Sequence, residues 1–302
     1  VAQPRNRLVV QVFLVIAVLA FIGISILPII GAFNNQPAIS PNNANSNNSN
    51  VAASGQKTKL EDEVRGYELV LQREPENQTA LKGLLQARLQ LLSLKSQAEV
   101  KPADIQVVIE PLEKLVKLNP QESDYAVLLA QAKQQLGDKE GAAQAYRSIL
   151  TTKPGDLKAL QGMVSLQLSE KRPEAAIGLL QDTLTAANQA NTIQPGSVDV
   201  IAVQVLLGSV YASQKNFTQA ASVYDQAIQK DGKDFRPVFA KAMLLKEEGK
   251  MDEAKPLFES ASALAPAQYK DEINKAATLA VPTSAPGAAP ASTPSPESTP
   301  SP

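Results

Sequence analysis

The sequence predicts an all-α fold, a right-handed solenoid of stacked helix pairs, from a spacing, a packing pattern and a composition. Ala142, Ala220 and Ala254 are each followed four residues later by an aromatic, Tyr146, Tyr224 and Phe258, and three residues further by Ile149, Ala227 and Ala261. Spacings of four and three place side chains on one face of a helix. The step from Ala220 to Ala254 is 34 residues, as is the step from Pro120 to Pro154. That period suits a two-helix unit which cannot bury its apolar face alone and must stack on its neighbours. Hydrophobic residues make up 44% of the chain but aromatics only 4%. The core is therefore aliphatic and alanine-rich, which suits closely packed helices better than sheets.

Helices are expected over residues 58–280, as about five and a half pairs and a capping helix. Tyr67, Val70 and Pro75 read as the second helix of an incomplete first pair. Leu81, Leu84 and Ala87, then Leu112, Leu115 and Pro120, form the next, with extra residues around Gln97 to Asp104. A first helix from Asp124 to Leu136 turns at Gly137-Asp138 into a second from Lys139 to Thr151, and Pro154 forbids its continuation. Gly137 suits a left-handed turn, and Ala142 is small because the paired helices cross there. Leu160, Met163, Ala176 and Leu180 form another pair, followed by extra residues around Ala190 to Ser197. The next runs from Ile201 to Lys230. Its Gly208 would cost about 1 kcal/mol in a helix, so a close backbone approach is the reason to keep it. The last turns at Gly249, ends at Pro266, and is covered by a capping helix from Gln268 to Ala280.

The small, aromatic and terminator positions, with Leu207-Gly208 and Tyr211, resemble the tetratricopeptide repeat family. The resemblance implies a right-handed solenoid that holds another polypeptide. With no His and no Cys, zinc sites, imidazole acid–base catalysis and thiol nucleophiles are excluded. No carboxylate or Ser stands in a catalytic motif, so neither enzyme chemistry nor a cofactor nor a small-molecule substrate is expected. Lys plus Arg number 29 and Asp plus Glu 30, with alternating signs. That balance argues against a nucleic-acid partner, which needs a basic patch.

The flanks differ in kind. Leu8 to Ile30 carries no charge and only Gln11 and Ser25 as polar residues. As a helix it would be about 34 Å long, enough to cross a hydrocarbon core. Arg5 and Arg7, in the short segment 1–7, put the N-terminus in the cytoplasm and the repeats in the periplasm or thylakoid lumen; a cytoplasmic repeat domain is the alternative. Residues 31–57, rich in Asn, read as a disordered tether. Residues 281–302, with Pro at every second to fourth position, read as an extended tail.

Recognition is expected on the first-helix residues that face away from the second helices. These are Lys82, Gln86 and Gln90; Val127, Gln131 and Gln134; Lys158, Gln161 and Ser165; Val205 and Ser209; and Arg236, Phe239 and Met243. Some family members grip a chaperone's terminal carboxylates with a dense Lys/Asn/Arg clamp. Lys82 and Gln86 supply part of one, but Val127 and Leu128 follow where cations should stand. A groove lined by amides, hydroxyls and aliphatics suits an extended peptide or a helix. The two inserts are alternative recognition sites, as loops on a rigid scaffold.

Asp234-Phe235-Arg236-Pro237, the Glu253-Ala254 helix with Phe258, Ala80-Leu81 and Glu110-Pro111-Leu112 through Pro120 resemble plastid tetratricopeptide proteins of the slow-green type. With one membrane span and an Asn-rich tether, the resemblance implies a cyanobacterial or plastid factor in the biogenesis of a membrane complex, thylakoid or photosynthetic. A permanent structural subunit of such a complex is the alternative, and an enzyme on a helical scaffold the third reading.

Overall fold

The structure, a computed structural model, describes residues 49–96 and 98–278. The span 8–30 and the tail 281–302 lie outside them. Among the described residues the chain forms twelve α-helices and no strand. They are α1 (Ser49–Arg73), α2 (Gln78–Ser93), α3 (Pro102–Leu118), α4 (Ser123–Gln135), α5 (Lys139–Thr152), α6 (Leu157–Ser169), α7 (Pro173–Ile193), α8 (Val200–Ser213), α9 (Phe217–Lys230), α10 (Phe235–Glu247), α11 (Met251–Leu264) and α12 (Ala267–Thr278). Five pairs, α2/α3 to α10/α11, stand between an unpaired second helix, α1, and the cap, α12. Each helix packs on the next in sequence. First helices also pack side by side, α4 on α6, α6 on α8 and α8 on α10, and so form one continuous inner face.

The repeated residues make the frame. Ala142, Ala176, Ala220 and Ala254 are wholly buried, and Tyr146, Leu180, Tyr224 and Phe258 are nearly so. A Cβ on Gly208 would come within 2.2 Å of the Tyr224 ring, so the expected close approach is an aromatic ring seated on a bare helix backbone. Gly83 under Tyr67 and Gly162 under Tyr146 repeat the arrangement between one second helix and the following first helix.

The turn between paired helices requires a left-handed residue at one recurring place. Gly137 and Gly249 supply it with φ 81° and 78°, whereas Lys171 and Lys215 adopt φ 59° and 58° at the equivalent turns. A residue with a Cβ costs roughly 1 kcal/mol or more there. Lys171→Gly and Lys215→Gly are therefore each expected to raise stability by about 1 kcal/mol. Gly137→Lys should lower it by as much, read from urea midpoints at unchanged m-value.

Proline inside α3 is accommodated by a side chain. Pro111 has no N–H to donate to the carbonyl of Val107 one turn earlier. Arg88 of α2 donates a guanidinium N–H to that carbonyl instead, and its other arm pairs with Glu68 Oε1 of α1 at 2.6 Å. One arginine thus ties α1, α2 and α3 together.

Three sequence expectations change. α1 begins at Ser49, so residues 49–57 continue the helix rather than the tether. Once Leu60 to Arg73 is helical, extension adds one hydrogen bond per residue, and Lys57–Glu61 and Lys59–Glu63 pairs support it. The second insert is not a free loop. α7 extends to Ile193, and Asn191 staples the connection by bonding both the N–H and the C=O of Val198 at 2.9 Å. In the first insert Pro102 to Asp104 already belongs to α3, and Asp104 holds Lys95 at 2.6 Å.

Candidate functional site

The inner face differs between its two halves. On α2, α4 and α6, Lys82, Gln86, Gln90, Gln131, Gln134, Lys158, Gln161 and Ser165 are all partly accessible. Among the described residues the side chains of Gln86, Gln131 and Gln134 make no hydrogen bond, and Gln161 Nε2 is buried without a partner. Lys82 lies over the Tyr125 ring, 5.7 Å from its centroid. Burial pushes the Tyr125 phenol above its ordinary range, against the opposing pull of Lys82. Val127 of α4 is buried at 4% exposure. This half is a row of side-chain amides, able to donate to and accept from a peptide backbone, on a floor of aliphatic carbon.

On α8 and α10 the same face is closed. Val205 is buried, and Ser209 is buried with its hydroxyl donating to the Leu206 carbonyl at 2.7 Å. Phe239, expected in the groove, is 5% exposed and sits edge-on to Phe258 with ring centroids 5.9 Å apart. It belongs to the terminal core with Val238, Ala242 and Ile273 of α12, and Met243 packs against that core. A bulky aromatic gains more by burial than by lining an open groove.

Arg236 is likewise committed. Its guanidinium meets Asp199 Oδ2 at 2.7 Å and Asp199 Oδ1 at 3.2 Å. Nε lies 3.0 Å from Asp234 Oδ1, and Nη2 2.6 Å from Asp234 Oδ2. Both carboxylates cap first helices, Asp199 accepting from the Ala202 N–H and Asp234 from the Arg236 N–H, each at 2.9 Å. Burial works to raise the Asp199 pKa, but the hydrogen bonds and charge of Arg236 outweigh it and hold the carboxyl below its usual range. Arg236 is thus a clamp between successive pairs rather than a free cation for a ligand. Lys158 pairs with Asp124 at 2.8 Å, 34 residues away, but both partners are over a third exposed. Such a pair contributes little and opens readily, so Lys158 remains available.

Among the described residues no cluster of His, Cys, Asp or Glu is arranged to hold a metal ion, and no helix is long and apolar enough to cross a membrane. The residues that sequence reasoning missed are the glycines under Tyr67 and Tyr146 and the left-handed lysines. A lone Gly inside a helical pattern, three residues before or after an apolar one, was the available signal for the first.

Models of the tetratricopeptide repeat match residues 109–156, 201–233 and 236–268, which span α4/α5, α8/α9 and α10/α11 to within one residue. These three segments carry tetratricopeptide repeats. It is 28% identical over 144 residues to cellulose synthase operon protein C of Pseudomonas fluorescens (strain SBW25). That alignment covers 47% of this chain but only 11% of the relative's length. Among solved structures, a thermophilic TPR protein of Thermus thermophilus is 20% identical, with TM-score 0.41, over 66% of this chain and 100% of the other. PilF of Pseudomonas aeruginosa is 19% identical, with TM-score 0.40, over 68% of this chain and 88% of the other. MamA of Desulfovibrio magneticus RS-1 is 14% identical, with TM-score 0.39, over 62% and 94%. Tetratricopeptide scaffolds are generally non-catalytic and hold protein partners, and the amide row on α2, α4 and α6 has the chemistry for that role.

Proposed function

We propose that the chain is a membrane-tethered tetratricopeptide scaffold that holds an extended segment of a partner protein in the groove of α2, α4 and α6. The observation that carries the binding reading is the set of amides, Gln86, Gln131 and Gln134, left without internal hydrogen bonds on a partly accessible inner face. Side-chain amides satisfy both the N–H and the C=O of a bound backbone. The tether rests on the uncharged run Leu8 to Ile30. Anchoring would raise the local concentration of the groove near membrane partners, so that weak binding suffices. Assembly of a membrane complex, thylakoid or photosynthetic, is the process this reading favours, on the resemblance to slow-green-type proteins. A permanent subunit is distinguished from it by a complex of fixed composition that persists after assembly.

The test is crosslinking and affinity purification from native membranes with the wild type and a Gln86→Glu/Gln131→Glu/Gln134→Glu variant. Capture of the partner is expected to fall at least tenfold at unchanged helicity. Undiminished capture would move the site off the inner face. Protease accessibility in the same preparation reads the side of the membrane on which the repeats stand.

A further inference from the structure

α1 stands at the open end of the stack, a second helix with no first helix beside it among the described residues. Two neighbouring apolar side chains on it are exposed, for different reasons. Val70 occupies the place that Leu115, Ile149, Thr183, Ala227 and Ala261 hold in the later second helices, all of them buried. Its 40% exposure is what the missing first helix leaves. Leu69, 62% exposed, has no such explanation. Lys114, Ser148, Asp182, Gln226 and Ser260 stand at its place in the other second helices, so the position is polar wherever a repeat is complete.

Leu69 does not stand alone. Lys59, Asp62, Gly66, Leu69, Arg73 and Glu76 are separated alternately by three and four residues and are all exposed, the spacing with which one helix packs along another. The first five lie on the side of α1 away from Leu60, Tyr67 and Leu71, its inward side, and Glu76 follows just past its end. A Cβ at Gly66 would meet nothing within 4 Å, so the chain itself gives no reason for a glycine that weakens the helix. Along the chain the stripe reads cation, anion, two uncharged residues, cation, anion. Turned end for end it is its own complement. Lys59 then meets Glu76, Asp62 meets Arg73, and Leu69 meets the bare backbone at Gly66. Within the chain Lys59 pairs with Glu63 and Asp62 with Arg65, exposed pairs that contribute little and open readily. Arg73 and Glu76 form no ion pair among the described residues.

We propose that α1 is the interface of a homodimer, in which a second copy of the chain lays its own α1 antiparallel along this stripe about a twofold axis. Every contact then occurs twice. Gly66 lets the two backbones approach, and Leu69 of the second copy fills the space above it. The uncharged run Leu8 to Ile30 would cover Leu69 but match none of the four charges around it, whereas a second copy matches all four. One helix against one helix is a small interface, so dimerisation is concentration dependent.

The test is sedimentation velocity of the full chain in detergent over a concentration series, with a monomer–dimer equilibrium expected. Asp62→Arg and Arg73→Asp each set two pairs of like charges across the axis and should each weaken association about tenfold. The double variant Asp62→Arg/Arg73→Asp restores the attraction and should dimerise as the wild type does. Orientation is read from disulfides, since the chain has no cysteine of its own. Oxidation of a mixture of Asp62→Cys and Arg73→Cys chains should link unlike chains, because two copies of residue 62 would stand about 16 Å apart along the helices. A chain that stays monomeric over the whole series, a dimer indifferent to the single reversals, or disulfides formed between like chains would each overturn the assignment. All the substituted positions are exposed, so the helical signal of every variant should match the wild type. None of them touches Gln86, Gln131 or Gln134, so failure here leaves the groove reading standing, and loss of capture by the groove variant leaves this one standing.

Discussion

Ala220→Trp is expected to disrupt the pairs on both sides of α9, with a large loss of helical signal and a broadened, lowered thermal transition. Ala220 is wholly buried in a core shared by Val205 of α8, Tyr224 of α9 and Ala240 of α10. The Tyr224 ring lies directly against the backbone at Gly208, so the neighbouring ring has nowhere to move. Inserting single methylenes into such a core costs about 1–3 kcal/mol, and an indole adds many times that volume. In a solenoid each pair is stabilised by its neighbours, so displacing α9 from α8 also removes support from α10. The informative control is Ser222→Trp, two residues along, an exposed position that lines the outer cleft between α9 and α10. It should shift the transition by no more than a few degrees. Equal behaviour of the two variants in circular dichroism and thermal melts would show that α9 packs with a different face inward.

Arg236→Ala is expected to cost about 1–2 kcal/mol, through loss of charge-assisted hydrogen bonds partly screened at a site where the Arg236 side chain is 26% exposed. The loss should also carry a pH signature. The folded-state pKa of Asp199 is depressed, so its contribution is fully present above the unfolded carboxylate value of about 3.9. It is lost as pH falls through the lower folded value. The stability difference between wild type and Arg236→Ala should therefore be level from neutral pH to about pH 5 and shrink below about pH 4. A difference that stays constant into acid would mean that Asp199 does not sense the guanidinium. Lys158→Ala, whose ion pair is exposed, should leave stability unchanged over the same range.

The fold was legible because its signals are local. Ala142, Tyr146 and Ile149 announce their own helix face, and Gly137 and Pro154 announce where helices stop. The expected boundaries of α4 and α5 lie within a residue or two of the observed ones. Pro111 is a local signal too, since a proline inside a helix frees a carbonyl that some donor must find. That the donor is Arg88, 19 residues away in another helix, depends on how α2 and α3 pack. The candidate site was legible as a list of positions but not as a surface. Gln131 and Phe239 both occupy the inward-facing stripe of a first helix. Only contact with Phe258 and the capping helix turns Phe239 into core while Gln131 stays partly accessible.

From the sequence alone came the helix pairs, their period, their order and the chemistry excluded by the lack of His and Cys, because these follow from spacing and composition within a single repeat. The tertiary structure alone decided which cations are already neutralised and which half of the inner face is open. Those properties depend on what lies across from a side chain in the neighbouring helix, and residues 30 or more positions apart, such as Arg236 and Asp199 with a separation of 37, meet only when the pairs stack.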